Sequence, residues 1–373
     1  MSFGLGLLAV TVAPCWMVLG FFVWDNHWTA SAFALNLFKS NLASLGFLVV
    51  VLVSNSIGNH PQLFTTTNVG YLMLSSTVGI LVGDWTWLEG MRILGARKII
   101  VMDCFKPFLA ALFGRVFVGE QLHIGAYLGL LLTIVGVLIV GLERENKTSH
   151  GDGCNEDTVE RQTHKDATPS EHDNLLPSSR DSNFFARQHS YVERRKQQQQ
   201  QQSTQTYAYG LINGFLNILF HTVGSTLTKI YGAGMTTWEI NLIRFGFAGL
   251  SMGLISSSLI VRSKLSTNQS RFNHLTVSLP WYSLPSLSAS SWAHVCSGVM
   301  CVTFLHPSMV NYAMFQVPLA LLLTLDSIGP LYSLPMGWMI QGDQPTYKAC
   351  IGACLSVGGI IILSLKGVSA EKV

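Results

Sequence analysis

Ten apolar stretches, each about 20 residues long and nearly free of charge, recur along the chain between polar breaks. A bilayer core about 30 Å thick is crossed by about 20 residues rising about 1.5 Å each, so every stretch predicts a transmembrane helix. The first five are Phe3 to Trp24, Ala30 to Val53, Val69 to Leu88, Ala96 to Val118 and His123 to Leu142. The second five are Tyr207 to Ile230, Thr236 to Ile260, Ala293 to Ala313, Leu319 to Ile340 and Thr346 to Leu365. Several breaks have only about four to eight residues, the length that joins antiparallel helices, so consecutive spans predict hairpins packed in one bundle. In hydrocarbon each backbone amide must be satisfied within its own segment, which leaves helices as the open-chain solution. The fold class expected is therefore an all-α membrane protein of ten transmembrane helices.

Two polar stretches interrupt this texture. Residues 143–206 are rich in Ser, Asp, Glu, Arg and His and end near the run Gln197 to Gln202. Such a composition buries too little apolar area to fold, and it predicts a disordered linker between a first unit, 1–142, and a second, 207–373. Val261 to Ser291, rich in Ser, Asn and Pro, predicts a shorter polar loop. Composition agrees: 49% of residues are hydrophobic and only 12% charged, and more than half of all Asp and Glu fall in the linker. The net charge of +3 implies no basic face, and nucleic acid is not an expected partner. Of seven cysteines only Cys154 lies in the linker, and no Cys/His metal spacing occurs, so neither a metal nor another cofactor is expected. The run from Phe3 lacks a small-residue cleavage pattern and is expected to stay as the first span.

The two units share one plan. IVMDCFKPFLAALFGRVFVGE, from Ile100, aligns with LTLDSIGPLYSLPMGWMIQGD, from Leu323. One constant offset puts Asp103 on Asp326, Pro107 on Pro330, Gly114 on Gly337, Gly119 on Gly342 and Glu120 on Asp343. The same register continues to place Gly129 on Gly352 and Gly136 on Gly359. A second echo pairs Asn36-Leu-Phe-Lys39 with Asn241-Leu-Ile-Arg244. With an odd number of spans per unit, the second unit must be inverted relative to the first, the architecture of secondary transporters with a substrate site between halves.

The stretch from Val82 to Val140 resembles the third to fifth helices of an EamA-type repeat of the drug/metabolite transporter superfamily. Gly83-Asp84, the turn Gly95-Ala96-Arg97, Pro107 and Gly119-Glu120 before a Gly-rich fifth helix carry the likeness. The second half is similar but looser: Gly342-Asp343 replaces the Gly-Glu pair, and His306-Pro307 stands opposite Gly83-Asp84, so the acidic position has no counterpart there. The resemblance implies a solute transporter with both termini in the cytosol.

A charge within a span costs a few kcal/mol to insert and is by default a candidate for function or pairing. Here these are Lys39, Asp84, Asp103, Lys106, Arg115, Arg244 and Asp326. At about 1.5 Å per residue, Lys39, Asp84, Asp103 and Lys106 lie roughly 10 to 15 Å below one membrane face, with Arg244 and Asp326 equally far from the other. Two readings compete. In one, Lys39 and Arg244 attract an anionic or amphoteric solute in a central cavity, while the carboxylates balance charge or carry a proton. In the other, Lys39, Asp84, Asp103 and Lys106 form an ion-pair network that fixes packing, with Asp103 and Lys106 pairing across one turn. Arg115 is expected to snorkel to the interface beside Glu120. Asn36 and Asn241 either line the same cavity or bond between helices. His221, His294 and His306 are candidate proton carriers, though a hydrogen-bonded structural histidine is the commoner outcome. Trp85 and Trp87 either stack on a planar ligand or pack.

Pro107 and Pro330 each remove a helical hydrogen bond and predict paired kinks, a candidate hinge. Gly125, Gly129 and Gly136 in the fifth span, and Gly352, Gly358 and Gly359 in the tenth, suit close helix packing, with a homodimer through those two spans as one use. Sidedness signals oppose one another. Arg92, Arg97, Lys98, Arg194, Arg195 and Lys196 border the same face as the linker, which argues for that face being cytosolic, as does the acidic dileucine pattern Glu171 to Leu176. The resemblance and the sequons at Asn146 and Asn268 argue the reverse. The Gln run points to a eukaryotic endomembrane or plasma membrane.

The function expected is secondary transport of a small polar organic solute by alternating access, coupled to protons or to a counter-solute. An intramembrane enzyme using Asp84 and Asp103 is the rival, but Gly-x-Gly-Asp and HExxH forms are absent, so no catalytic residue is assigned. A non-transporting receptor or scaffold would rest on the linker alone.

Overall fold

A computed structural model of the protein describes residues 2–24, 27–54, 63–94, 99, 102–150, 204–267, 280–341 and 346–367. All regular structure among the described residues is helical. The first half holds α1 (Ser2–Trp24), α2 (Ala32–Ser54), α3 (Thr66–Ser76), α4 (Asp84–Leu94), α5 (Lys106–Phe113) and α6 (Ile124–His150). The second holds α7 (Thr204–Tyr231), α8 (Thr237–Thr267), α9 (Ala289–Val299), α10 (His306–Met314), α11 (Leu319–Asp326), α12 (Gly329–Gln341) and α13 (Tyr347–Gly367). A π-helical segment, Thr77–Gly83, joins α3 to α4 into one rod, and another, Met300–Leu305, joins α9 to α10.

By length and composition, six described helices can cross a membrane: Phe3–Trp24, Ala32–Ser54, Thr237–Ser263, Ala289–Met314, Leu319–Met339 and Tyr347–Leu365, with Ile124–Val140 a shorter apolar helix. Hydropathy along the chain predicts ten. The shortfall falls where helices are polar or short: α4 carries Asp84, Glu89 and Arg92, α7 carries Asn213, Asn217, His221 and Lys229, and α5 has only eight residues.

The repeat extends to local signals that residue identity hides. Thr65 caps α3 by accepting from the Asn68 amide, and Ser288, at the constant offset, caps α9 by accepting from the Ser291 amide. Ser31 accepts from the Ala34 amide to start α2, while Thr236 and Glu239 make a reciprocal capping box at α8. The two π segments begin at equivalent positions, Thr77 and Met300.

Each helix takes its main partner from the other half. The first rod, α1, lies along α9–α10, α3–α4 along α7, α2 along α8, α5 along α11, and α6 along α13. Exchanging the halves leaves this pairing unchanged. Equivalent helices run antiparallel: Gly129 abuts Gly359 and Gly136 abuts Gly352, so α6 and α13 cross head to tail. Asn41 bonds the Gly249 carbonyl while Phe47 stacks on Phe245, which sets α2 against α8 the same way. The halves are therefore inverted with respect to each other.

At Gly136 an added Cβ would collide with the Gly352 carbonyl, and at Gly359 it would lie 2.5 Å from the Thr133 amide, so these backbones touch only because side chains are missing. Of the glycines offered for a homodimer, Gly129, Gly136, Gly352 and Gly359 meet inside one chain, while Gly358 faces open space.

Three expectations shift. The fifth helix continues past residue 142 to His150, and α8 past Ile260 to Thr267, because Glu, Arg, Lys and Leu are good helix formers and no Gly or Pro intervenes. Pro107 and Pro330 fall at helix starts and not within long continuous helices. Each stands in the first turn of a helix that restarts after a break, a 3₁₀ turn at Asp103–Phe105 and a turn at 327–328. Proline is suited to that place because its missing N–H has no partner to lose there. The Gln run, the dileucine pattern, Asn268, the turn Gly95-Ala96-Arg97 and Gly342-Asp343 lie outside the described residues.

Candidate functional site

Both halves line a partly open cavity of about 130 Å³, room for several waters and not only one. Lys39, Asp84, Trp87, Asp103 and Lys106 face it from the first half, and Asn217, His221, Arg244, His306, Asn311 and Asp326 from the second. Apolar wall is supplied by Met17, Phe21, Phe245, Val302, Val310 and Met314.

The broken rods create this polar centre. Asp103 opens the 3₁₀ turn and Asp326 closes α11, so the two equivalent carboxylates sit at equivalent interruptions. Asp84 follows one π segment directly and His306 follows the other. Irregular backbone at membrane depth is tolerated where it lines a cavity or is bonded by neighbours. Both conditions hold: Asn36 donates to the Ile80 carbonyl inside the π segment at 2.9 Å, and Ser327 Oγ donates to the Asp103 carbonyl at 3.2 Å.

Two ion pairs neutralise most of the first half's charge. Lys39, only 4% exposed, reaches Asp84 Oδ2 at 2.5 Å. Lys106 reaches Asp103 Oδ1 at 3.0 Å across one turn. Asp103 also accepts from Asn217 Nδ2 at 3.1 Å and from Trp87 Nε1 at 3.2 Å, so its acceptor sites are well filled. Asp84 and Asp103 are each engaged by their own lysine and no hydrogen bond joins them among the described residues, an arrangement unlike a proton-sharing carboxylate dyad. In the second half Asp326 is held by His306 Nε2 at 2.7 Å on one oxygen, with His221 Nε2 at 3.9 Å from the other.

Arg244 differs. Its backbone carbonyl accepts from Ser76, and its guanidinium lies beside Gly79, but the side chain makes no hydrogen bond or ion pair among the described residues, and its Nε is buried without a partner.

Other candidates fall elsewhere. Asn36 and Asn241 are fully buried away from the cavity, Asn36 on Ile80 and Asn241 between Asn311 and the Pro307 carbonyl, so both brace the irregular rods. His294 stacks on His27 at 4.5 Å, outside the cavity. Trp85 is 44% exposed and lies off the cavity, as does the exposed Arg115. Glu120 pairs instead with Lys229 Nζ at 2.6 Å and accepts from the Leu319 amide at 2.8 Å, while Lys229 also donates to the Val317 carbonyl. Gly119, at φ 77°, makes the turn that allows this clasp between halves. Asn217 and Lys229 were missed in the sequence. The signal was there: Asn213, Asn217, His221, Ser225 and Lys229 recur every fourth residue and mark one polar stripe along α7. Among the described residues no cluster of three or more His, Cys, Asp or Glu is arranged to hold a metal.

A sequence model of the EamA-like transporter family matches the chain twice, over residues 5–142 and 208–365. No curated protein matches it by sequence. One protein of known crystal structure, whose description names no function, superposes with a TM-score of 0.61 at 12% identity over 100% of this chain and 99% of that one. At that identity the likeness is one of fold alone.

Proposed function

The chain belongs to the EamA-like transporter family, and on that premise we propose that it is a secondary transporter of a small polar organic solute, working by alternating access through the central cavity. It is an integral, multi-pass membrane protein of a transporter family. In this reading ten helices span the bilayer, the more polar α3–α4, α5 and α7 segments counting among them because they line the solute path. The observation that carries the reading is the meeting of four interrupted rods from two inverted halves around one polar cavity. Discontinuous helices at mid-membrane between inverted repeats are the usual frame of a solute site, and rocking of one half against the other exposes it to each side in turn. Lys39, Asp84, Asp103, Lys106, Arg244 and Asp326 form the site's polar wall. The restart points before Pro107 and Pro330 serve as hinges. His306 with Asp326 carries the coupling proton in this reading, since an imidazole in hydrogen-bond contact with a carboxylate can pass a proton to it.

Purified protein in liposomes, loaded with members of a panel of amino acids, nucleotide sugars and other metabolites, tests this. Counterflow of at least one solute is expected, and it is expected to vanish in Lys39→Ala and Arg244→Ala while both variants still elute as folded protein. Counterflow at the wild-type rate in both would sink the cavity assignment.

A further inference from the structure

We infer that the solute carries an oxyanion group, a carboxylate or a phosphate, and that Arg244 is the residue that binds it; the inference rests on the transport reading and names the substrate class of that cavity. Lys39 and Arg244 are equivalent in the repeat, but their surroundings are not. Lys39 is neutralised by Asp84 at 2.5 Å. The position equivalent to Asp84 in the second half is Pro307, so that half offers Arg244 no matching carboxylate; its guanidinium lies beside Gly79, on the rod that carries Asp84, and Asp84 is itself paired with Lys39. The other acids are already engaged, Asp103 by Lys106 and Asp326 by His306. Arg244 is left with no hydrogen bond or ion pair among the described residues and with a buried, unpartnered Nε.

A guanidinium held at membrane depth without an acceptor is costly, and the cost is removed by any acceptor that arrives with the solute. Its planar fork matches a carboxylate or phosphate edge with two parallel bonds, which a hydroxyl or amide cannot supply. The cavity also has an apolar side, Phe245, Val302 and Met314 among its lining, to receive the body of the molecule. Because the Arg244 side chain has no hydrogen bond or ion pair among the described residues, the structure assigns a small solute that brings one oxyanion group to it.

The test pairs probes that differ in charge and little else. Full-length protein is presented with lactate, phenylacetate, glutamate, phenyl phosphate and inorganic phosphate, with lactamide, phenylacetamide and glutamine as uncharged or zwitterionic counterparts, and with choline as a cation. Thermal unfolding and liposome counterflow are read for each. At least one anionic probe is expected to raise the unfolding midpoint and to be exchanged, while its counterpart without net charge does neither. Whether carboxylates or phosphate esters lead identifies the oxyanion. Arg244→Gln is expected to lower that probe's affinity at least tenfold, and Arg244→Lys to lower it less while keeping the preference for anions, which separates lost recognition from misfolding. Exchange of an uncharged or cationic probe that survives Arg244→Gln would overturn the inference and leave the transporter reading standing. Absence of exchange for every probe and for the wider metabolite panel would remove both.

Discussion

Lys39 and Arg244 occupy one place in the repeat and meet different neighbours, and at the residue scale this asymmetry decides the behaviour of the cavity. Lys39 and Asp84 form a mostly buried pair at 2.5 Å. Removing one member of such a pair leaves an uncompensated charge and costs about 3–5 kcal/mol, whereas replacing both is far milder. Lys39→Met is therefore expected to lower the unfolding midpoint of the purified protein strongly, and Lys39→Met with Asp84→Asn to regain most of the loss. An additive double variant would show that the two residues are not coupled. His306 supports a second expectation. Its Nε2 lies 2.7 Å from Asp326 Oδ1, with His221, Lys106 and Arg244 also lining the cavity, and this contact is the one proposed to carry the coupling proton. His306→Asn should abolish uptake driven by an inward proton gradient yet retain solute exchange, which moves no net proton. Equal loss of both would assign His306 to solute binding. Depth along each span was enough to bring Lys39, Asp84, Asp103 and Lys106 to one level. It could not say that Asn36 and Asn241 bond neighbouring helices away from the cavity, because the carbonyl Asn36 satisfies lies in a π segment that has no plain sequence mark, and the Asn241–Asn311 contact depends on how two helices pack.

Among the elements, regular helices were legible and interruptions were not. Long apolar runs predict α1, α2 and α13 within a few residues, since hydropathy alone sets a span's length. The π segments at Thr77 and Met300 begin at equivalent positions in unlike sequences, TVGILVG and MCVTFL, so only packing imposes them. Prolines hinted at the breaks in the fourth and ninth rods, but whether a proline kinks a helix or starts a new one depends on what satisfies the backbone before it. Glycines separate two cases sharply. Gly358 and Gly359 are adjacent in α13, but a Cβ at Gly358 would meet nothing within 4 Å, while one at Gly359 would lie 2.5 Å from the Thr133 amide. Gly358→Ala is expected to be neutral or to stabilise by up to about 1 kcal/mol through helix propensity. Gly359→Ala should destabilise by about 1–3 kcal/mol as α6 and α13 are forced apart. Unfolding in detergent reads both, and equal effects would mean that the close approach contributes nothing.

For the whole molecule, each half is completed by the other. Since α1, α2, α3–α4, α5 and α6 all find main partners beyond the linker, the halves interlock as one bundle instead of forming two domains side by side. A protease site inserted between residues 151 and 203 and then cut should leave two fragments that co-elute and still exchange solute, because buried helix faces and the Glu120–Lys229 clasp join them without a covalent link. Separation of the fragments on gel filtration would contradict this. The sequence by itself determined that the chain lives in a bilayer, that it is built twice, and that charge is retained inside its spans, because hydropathy, repeat register and the cost of a buried charge are properties of residues in order. Which of those charges neutralise one another was decided only by tertiary structure, since pairing depends on where a helix breaks and which face it turns inward. That step leaves the Arg244 side chain without a hydrogen bond or ion pair among the described residues and gives the cavity its expected preference for an anion.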